Sequence, residues 1–163
     1  MEEISEKKWR NDIHINLTSH HYLLRKCIPF LKNGIESSVV FIGTRNVGAP
    51  GLGAGTYSIA KSGLTQMARL AALELAPYQI GVKIVHPDCV YDTAFWTEKI
   101  IKNRAEKYGI SVENYKSRSL LKKPVHSRDV AEIVSFLVGN RSKKITGAQI
   151  PVDGLSLIHI SEP

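Results

Sequence analysis

The chain has 163 residues, 43% of them hydrophobic, which suits one domain with a real core and is too short for two. Its formal charge of +7 is spread along the chain, in stretches such as Lys7-Lys8-Trp9-Arg10 and Arg141-Ser142-Lys143-Lys144, rather than gathered in one block. With no zinc-finger spacing and no aromatic RNA-binding signature beside it, that charge reads as a solvated surface with a modest pull on anions, which argues against a nucleic-acid partner.

Residues 12–32 carry Ile13, Leu17, Tyr22, Leu24, Ile28 and Leu31 at roughly helical intervals, and Asn33-Gly34 stops the predicted helix. The run 38–43 (SVVFIG) is short, continuous and β-branched or aromatic, as expected of a strand buried on both faces in a parallel sheet. A loop with Gly48, Pro50, Gly51, Gly53 and Gly55 follows. Residues 56–77 predict a long Ala/Leu-rich helix with Ala60, Leu64, Met67, Leu70, Ala71 and Leu75 on its apolar face. Gly81–Val85 is a second buried-type strand, terminated by His86-Pro87-Asp88. Strand, helix and strand form one crossover unit of a parallel α/β sheet.

Further helices are expected over 93–108, 112–121 and 127–139, the last capped by Ser127 and burying Val130, Ile133, Val134 and Leu137. A short strand is expected at 149–152. The fold class is therefore α/β, a partial doubly wound, Rossmann-like parallel sheet whose first half is expected to be missing. Residues 1–154 form that unit. The stretch 155–163 (LSLIHISEP) breaks from the preceding pattern and resembles the translation of a sequencing-library adapter, so His159 and Glu162 are set aside as site residues.

Cys27 and Cys89 lie in apolar surroundings with no paired spacing, which implies a reducing compartment and no metal site. No apolar run approaches the roughly 20 residues of a membrane span, and the N-terminus lacks a signal-peptide core, so no membrane partner and a cytoplasmic location are expected.

The chemistry is concentrated at Tyr57 and Lys61, four residues apart at the start of the long helix and so on one face, about one turn apart. A phenol titrates near ~10, and an ammonium within ~4–6 Å favours its phenolate form. Tyr57 is thus a candidate acid/base for a carbonyl or alcohol oxygen. Thr44, at the end of the first strand, carries a hydroxyl able to donate to the same oxygen.

The sequence SVVFIGT, the Gly/Pro loop, YSIAK opening an Ala/Leu helix, GVKIVHP and TGAQIPVDG together resemble the second half of the short-chain dehydrogenase/reductase family, over residues 5–154. The resemblance implies Tyr57 as catalytic acid/base, Lys61 as the group that lowers its pKa and holds the nicotinamide ribose, and Thr44 in the position of the family's catalytic Ser. It implies that Asn16 supports the proton relay. Tyr57, Lys61, Pro87, Asp88, Val90 and Thr93 are the implied cofactor contacts, the cofactor being NAD or NADP with NAD favoured. Two departures stand out, Thr44 for Ser and Asp88 where the family has Gly.

The longer stretches 40–77 and 85–125 are similar to one subgroup, the dehydrogenase portion of bifunctional rhamnulose-1-phosphate aldolase/short-chain dehydrogenases, which implies a lactaldehyde-type substrate and rhamnose catabolism. Residues 95–121 are expected to form the substrate lid, with Trp96 and Tyr115 as pocket or core residues. The family's Gly-rich phosphate turn has no counterpart, since Gly51-Leu52-Gly53-Ala54-Gly55 lacks the G-x-G-x-x-G spacing. By itself the chain is expected to be inactive. The implied partners are a small-molecule substrate and, through the helices of Asn16 and Tyr57, a second copy in a homo-oligomer. The alternatives are another short-chain reductase, acting on a sugar alcohol or an oxoacyl group, and a non-catalytic assembly remnant.

Overall fold

A computed structural model describes residues 3–156, so His159 and Glu162 lie outside the described residues. Three strands, β1 (Ser38–Ile42), β2 (Gly81–Pro87) and β3 (Gln149–Val152), form a parallel sheet in the order β1-β2-β3. Val39 pairs with Val82 and Ile42 with Val85, while Ile84 pairs with Gln149 and Pro87 with Val152. From Val82 to Pro87 every residue of β2 is buried, which explains its continuous apolar run. Lys83 and His86 are the polar exceptions within that run, and Lys83 is the charged one. Its ammonium donates to Ser38 Oγ at 2.9 Å and Leu137 O at 3.0 Å, so burial is matched by acceptors.

His86 and Pro87 lie inside β2 rather than ending it, because pairing with β3 extends through Val152. Pro87 is tolerated at the strand's last position, where β1 has already ended at Ile42 and the bond to β3 comes from Asp88 N, which donates to Val152 O.

The first helical segment is longer than expected: α1 (Glu6–Ile13), a π-helical stretch over His14–Thr18 and α2 (Ser19–Asn33) follow one another without a break. Ser5 caps α1 through Lys8 N. Leu17, Leu24, Ile28 and Leu31 pack on the central core, whereas Tyr22 is 55% exposed and does not belong to that face. The π-helical stretch rotates the residues after it relative to an unbroken helical repeat, and an even spacing cannot anticipate that.

Helix α3 (Gly55–Leu75) crosses back over the sheet and buries Ala60, Leu64, Ala68, Ala71, Ala72 and Leu75. Leu70 stands 49% exposed, so it is not part of the buried face. An Ala-rich helix offers several apolar stripes, and packing against β1 and β2 selects one. The central core comprises Phe41, Leu64, Ala68, Ala71, Ala72, Leu75, Ile80, Val82 and Ile84. Gly63 lets the first helical segment come close: a Cβ there would lie 2.9 Å from Leu17 Cδ2.

The region beyond β2 is less helical than its sequence suggests. Helix α4 covers only Glu98–Lys107, because Thr97 caps it by accepting from Ile100 N at 3.3 Å, and residues 93–96 form turns. Helix α5 is the short Val112–Lys116, capped by Ser111. Helix α6 (Ser127–Val138) begins after His126, whose N–H donates to Asp129 Oδ2 at 2.8 Å. Ser127 is therefore the first helical residue and not the cap, and its hydroxyl donates to Asp92 Oδ2 at 2.6 Å. No helix among the described residues is long and apolar enough to cross a membrane.

Candidate active site

The carboxyl ends of β1 and β2, the start of α3 and the segment between β2 and α6 enclose a cavity of about 550 Å³. In an open parallel sheet this is where the loops diverge and leave a crevice. Thr44, Tyr57, Pro87, Asp88, Val90 and Thr93 all line it, so six of the eight candidate residues share one cavity.

Thr44 sits just beyond β1 and caps a short turn, its hydroxyl accepting from Asn46 N at 3.3 Å. Tyr57 lies in the first turn of α3, half-buried, with the Thr44 hydroxyl as a neighbour of the phenol. Burial raises the phenol's pKa above its ordinary value, outweighing the neighbouring Thr44 hydroxyl, which lowers it. The expected lowering by Lys61 is thus not seen. The Lys61 ammonium stands 6.0 Å from the Tyr57 ring centroid and donates to Ile42 O at 2.8 Å. Burial lowers the pKa of Lys61 itself.

Lys61 lies behind the cavity wall, and Asn16 lies on the π-helical stretch between α1 and α2. Asn16 Nδ2 donates to Asp12 O at 3.0 Å, one turn back along its own helix. Its helical neighbours Lys8 and Asp12, an ion pair at 2.7 Å, reach the cavity instead.

Asp88 is the pivot of a buried ion cluster. Its Oδ1 accepts from Arg45 Nε and from Arg118 Nη2, and the three side chains are 7–13% exposed. Its N–H donates to Val152 O at 3.1 Å, so the backbone amide and Oδ1 are both engaged within the protein. Arg118 also donates to Tyr91 Oη at 2.9 Å, Tyr115 O at 3.2 Å and Cys89 Sγ at 3.1 Å. Cys89 therefore lies in polar company, not in the apolar surroundings its neighbours in sequence imply. Burial pushes its thiol pKa up, with the Asp88 charge adding to the effect.

Tyr91, Phe95, Trp96, Tyr108 and Tyr115 form a chain of ring contacts, with centroids 5.3 Å apart for both Tyr91–Trp96 and Phe95–Trp96. Tyr115 is both core and cavity wall, being 3% exposed and lining the cavity, and burial pushes its phenol up to about 12. Val90 is tied to Val125 by a parallel bridge, and Thr93 Oγ1 donates to Val90 O at 2.8 Å. Arg45, Arg118 and Arg104, whose Nη1 donates to Leu52 O at 2.9 Å, were not among the sequence candidates. Arg45 had one visible signal, a charged residue directly after a buried strand and its catalytic-position Thr.

His86 packs behind Thr44 and Gly43, outside the residues that line the cavity. It is 7% exposed, its Nδ1 lies 3.1 Å from Thr44 O, and its ring packs over Gly43, where a Cβ would fall 2.5 Å from Nδ1. Burial is the main cause that lowers its pKa. A neutral imidazole at this place positions Thr44 through its carbonyl.

The residues present fit the nicotinamide and ribose end of a dinucleotide. An ammonium has three donors and Lys61 gives one to Ile42 O, which leaves two for ribose hydroxyls. The Thr44–Tyr57 pair faces the adjoining space with two hydroxyls that can meet one substrate oxygen.

The comparisons agree with this geometry. The profile of the family described as enoyl-(acyl carrier protein) reductase matches residues 1–154. The chain is 31% identical over 159 residues to the uncharacterized oxidoreductase YuxG of Bacillus subtilis, covering 94% of this chain and 23% of that protein. It is 28% identical over 152 residues to the 2,3-dihydro-2,3-dihydroxybenzoate dehydrogenase of the same species, covering 93% of this chain and 58% of that one. A crystal structure of a short chain dehydrogenase family protein from Francisella tularensis superposes with a TM-score of 0.81 at 28% identity, over 96% of this chain and 64% of that one. The chain spans less than two thirds of the length of each of these proteins. On the profile match, the fold and the Tyr57–Lys61 helix, the chain belongs to the short-chain dehydrogenase/reductase family of oxidoreductases.

Proposed function

We propose that this chain carries the catalytic part of a nicotinamide-dependent oxidoreductase that interconverts a small hydroxyaldehyde or alcohol and its oxidised form, with lactaldehyde as the type. The observation that carries the reading is the Thr44–Tyr57 hydroxyl pair facing a cavity at the carboxyl ends of β1 and β2, with Lys61 directly behind it. The lactaldehyde assignment is supported by the similarity of stretches 40–77 and 85–125 to the aldolase-linked dehydrogenases.

When bound, the nicotinamide cofactor supplies the hydride or accepts it. Tyr57 handles the proton. With its pKa raised by burial, the phenol holds its proton at neutral pH and is ready to donate it to a carbonyl oxygen as that oxygen gains negative charge. Thr44 donates a second hydrogen bond to the same oxygen and orients it. In the reverse direction Tyr57 must act as base, which requires its phenolate to be stabilised. Lys61, one turn further along α3, is the cation that would favour that phenolate, and its two remaining ammonium donors would hold the ribose hydroxyls of a bound cofactor. Asn16, on the neighbouring π-helical stretch, is assigned to the supply of protons to Lys61, and Pro87, Asp88, Val90 and Thr93 to the wall against the nicotinamide.

The cofactor is NAD or NADP, NAD being favoured. Structures of the same fold have been solved with NADH, for a 3-ketoacyl-(acyl-carrier-protein) reductase of Brucella melitensis, and with NADP, for the ketoreductase LanV. A homo-oligomer built on α2 and α3 is part of the same reading, supported by the exposed apolar side chains of Leu23, Phe30 and Leu73.

The test is a titration of the chain, joined to the first half of a short-chain dehydrogenase/reductase fold that carries the Gly-rich phosphate turn, with NAD and NADP in the presence of lactaldehyde and of propane-1,2-diol, following the absorbance of the reduced nicotinamide. Substrate-dependent change with one cofactor supports the reading. Cofactor binding with no redox change on any small hydroxy compound would sink it.

A further inference from the structure

The turn that leads into α3 is held from outside. Residues 51–54 form a β-turn closed by Ala54 N, which donates to Gly51 O at 3.1 Å, and Gly53 at its third position has φ +76°, as a type II turn requires. Type II and type I turns differ by a flip of the central peptide, here the one whose carbonyl belongs to Leu52. That carbonyl accepts from Arg104 Nη1 at 2.9 Å, a bond between residues 52 positions apart in the chain. Apolar burial does not fix the turn, because the Leu52 side chain is 62% exposed.

The start of α3 depends on this turn. Ala54 is the N-cap, and no side chain caps the helix there. The Ala54 carbonyl instead carries the first helical bonds, accepting from Ser58 N at 2.8 Å and Ser58 Oγ at 2.7 Å. Tyr57 lies between these two residues, so a rotation of the peptide at Ala54 moves the turn of helix that aims the phenol. Arg104 stands on a firmer base. Ile101 and Ala105, beside it on α4, are buried together with Tyr115. Arg104 lines the same cavity as Gly51, Gly53, Ala54 and Tyr57, and so spans from one wall to the other.

We infer that Arg104 is a positioning residue: by holding the Leu52 carbonyl it fixes the type II turn before α3, and through Ala54 it sets where the Tyr57 hydroxyl stands in the cavity. This rests on the reading of Tyr57 as the group that handles the proton. Arg104 acts through the backbone of the turn and touches neither substrate nor cofactor.

The experiment is nuclear magnetic resonance on the full chain with the tyrosine Cζ carbons labelled, together with hydrogen exchange at the Ala54 amide. Arg104→Met keeps a long side chain and removes the donor; Arg104→Lys keeps a donor and the charge. Arg104→Met should speed exchange at Ala54 at least about tenfold, a difference of about 1.4 kcal/mol, and shift the Tyr57 Cζ resonance, with the thermal midpoint unchanged. Arg104→Lys should stay closer to wild type in both. An unmoved Tyr57 resonance in Arg104→Met, or equal displacement by Met and Lys, overturns the inference. If Arg104→Met does not fold, the wild type decides: an Ala54 amide as protected as that of Ser58 upholds the held turn, and one that exchanges like an open chain overturns it. In the chain joined to the first half of the fold, Arg104→Met should lower the single-turnover rate about ten- to a hundredfold with cofactor affinity unchanged, a split that lost stability alone does not produce. A Tyr57 displaced by Arg104→Met in a joined chain that never turns over would fault the enzymatic reading alone. Turnover with Tyr57 unmoved would fault this inference alone.

Discussion

Asp88 accepts from Arg45 and Arg118 through the same oxygen, Oδ1, and thereby ties the end of β1 to the segment after α5 across the end of β2. The resemblance to the family implies glycine at this position, and the carboxylate found there instead holds a buried electrostatic clasp. Removing the carboxylate leaves two guanidiniums together with no counter-ion. Asp88→Asn is expected to destabilise the fold by roughly 3–5 kcal/mol in chemical denaturation. A change below about 1 kcal/mol would show that the clasp is not formed in solution.

His86 makes the stability pH-dependent. Its folded-state pKa, like that of His20, is depressed below 6.5, chiefly by burial. Above 6.5 both rings are neutral in either state, and no proton separates folded from unfolded chain. As pH falls below 6.5 the unfolded chain takes up protons first, so stability falls. Thermal melts should therefore show a lower midpoint at pH 5.5 than at pH 7.5, and His86→Asn should reduce that dependence. A midpoint independent of pH across this window would contradict the burial of a neutral His86.

Leu64 and Leu70 separate the face of α3 that packs from the face that does not. Leu64 is fully buried in the central core, and Leu64→Ala should cost about 2–5 kcal/mol. Leu70 is 49% exposed, and Leu70→Ala should change stability by no more than about 0.5 kcal/mol. Equal losses in urea denaturation would mean that the helix is rotated about its axis from the arrangement described.

That pair also marks what a single sequence conveys. The strands were legible because Val39–Ile42 is a continuous β-branched and aromatic run and Val82–Val85 a buried one, and β3 because it follows a Gly-marked turn; β1 itself buries only Phe41 and leaves Ile42 exposed. Tyr57, Lys61 and Thr44 were legible because local spacing fixes them relative to one helix and one strand end. Tyr22 and Leu70 were misplaced because helical periodicity shows that a stripe exists, while packing decides which stripe is buried. The shift after His14 comes from a π-helical stretch that no residue there announces. Helix α4 starts late because Thr97 intercepts it with a cap. The Arg45–Asp88–Arg118 clasp was beyond reach, since its members come from three distant segments and meet only when β1 and β2 pair. The departure of Tyr57 from the expected pKa has a similar origin: Lys61 is near in sequence, but its ammonium is drawn to Ile42 O, a partner fixed by tertiary packing.

The central claim is that Tyr57 transfers the proton, and Tyr57→Phe tests it with the least disturbance, since the ring is kept and only the hydroxyl is lost. With the chain joined to the first half of the fold, reduction of the carbonyl substrate should be followed in single-turnover experiments by reduced-nicotinamide absorbance, with cofactor binding measured alongside. A fall of about 10²–10⁴ in the rate with cofactor affinity little changed is the predicted result. A variant that turns over at the wild-type rate would contradict the account.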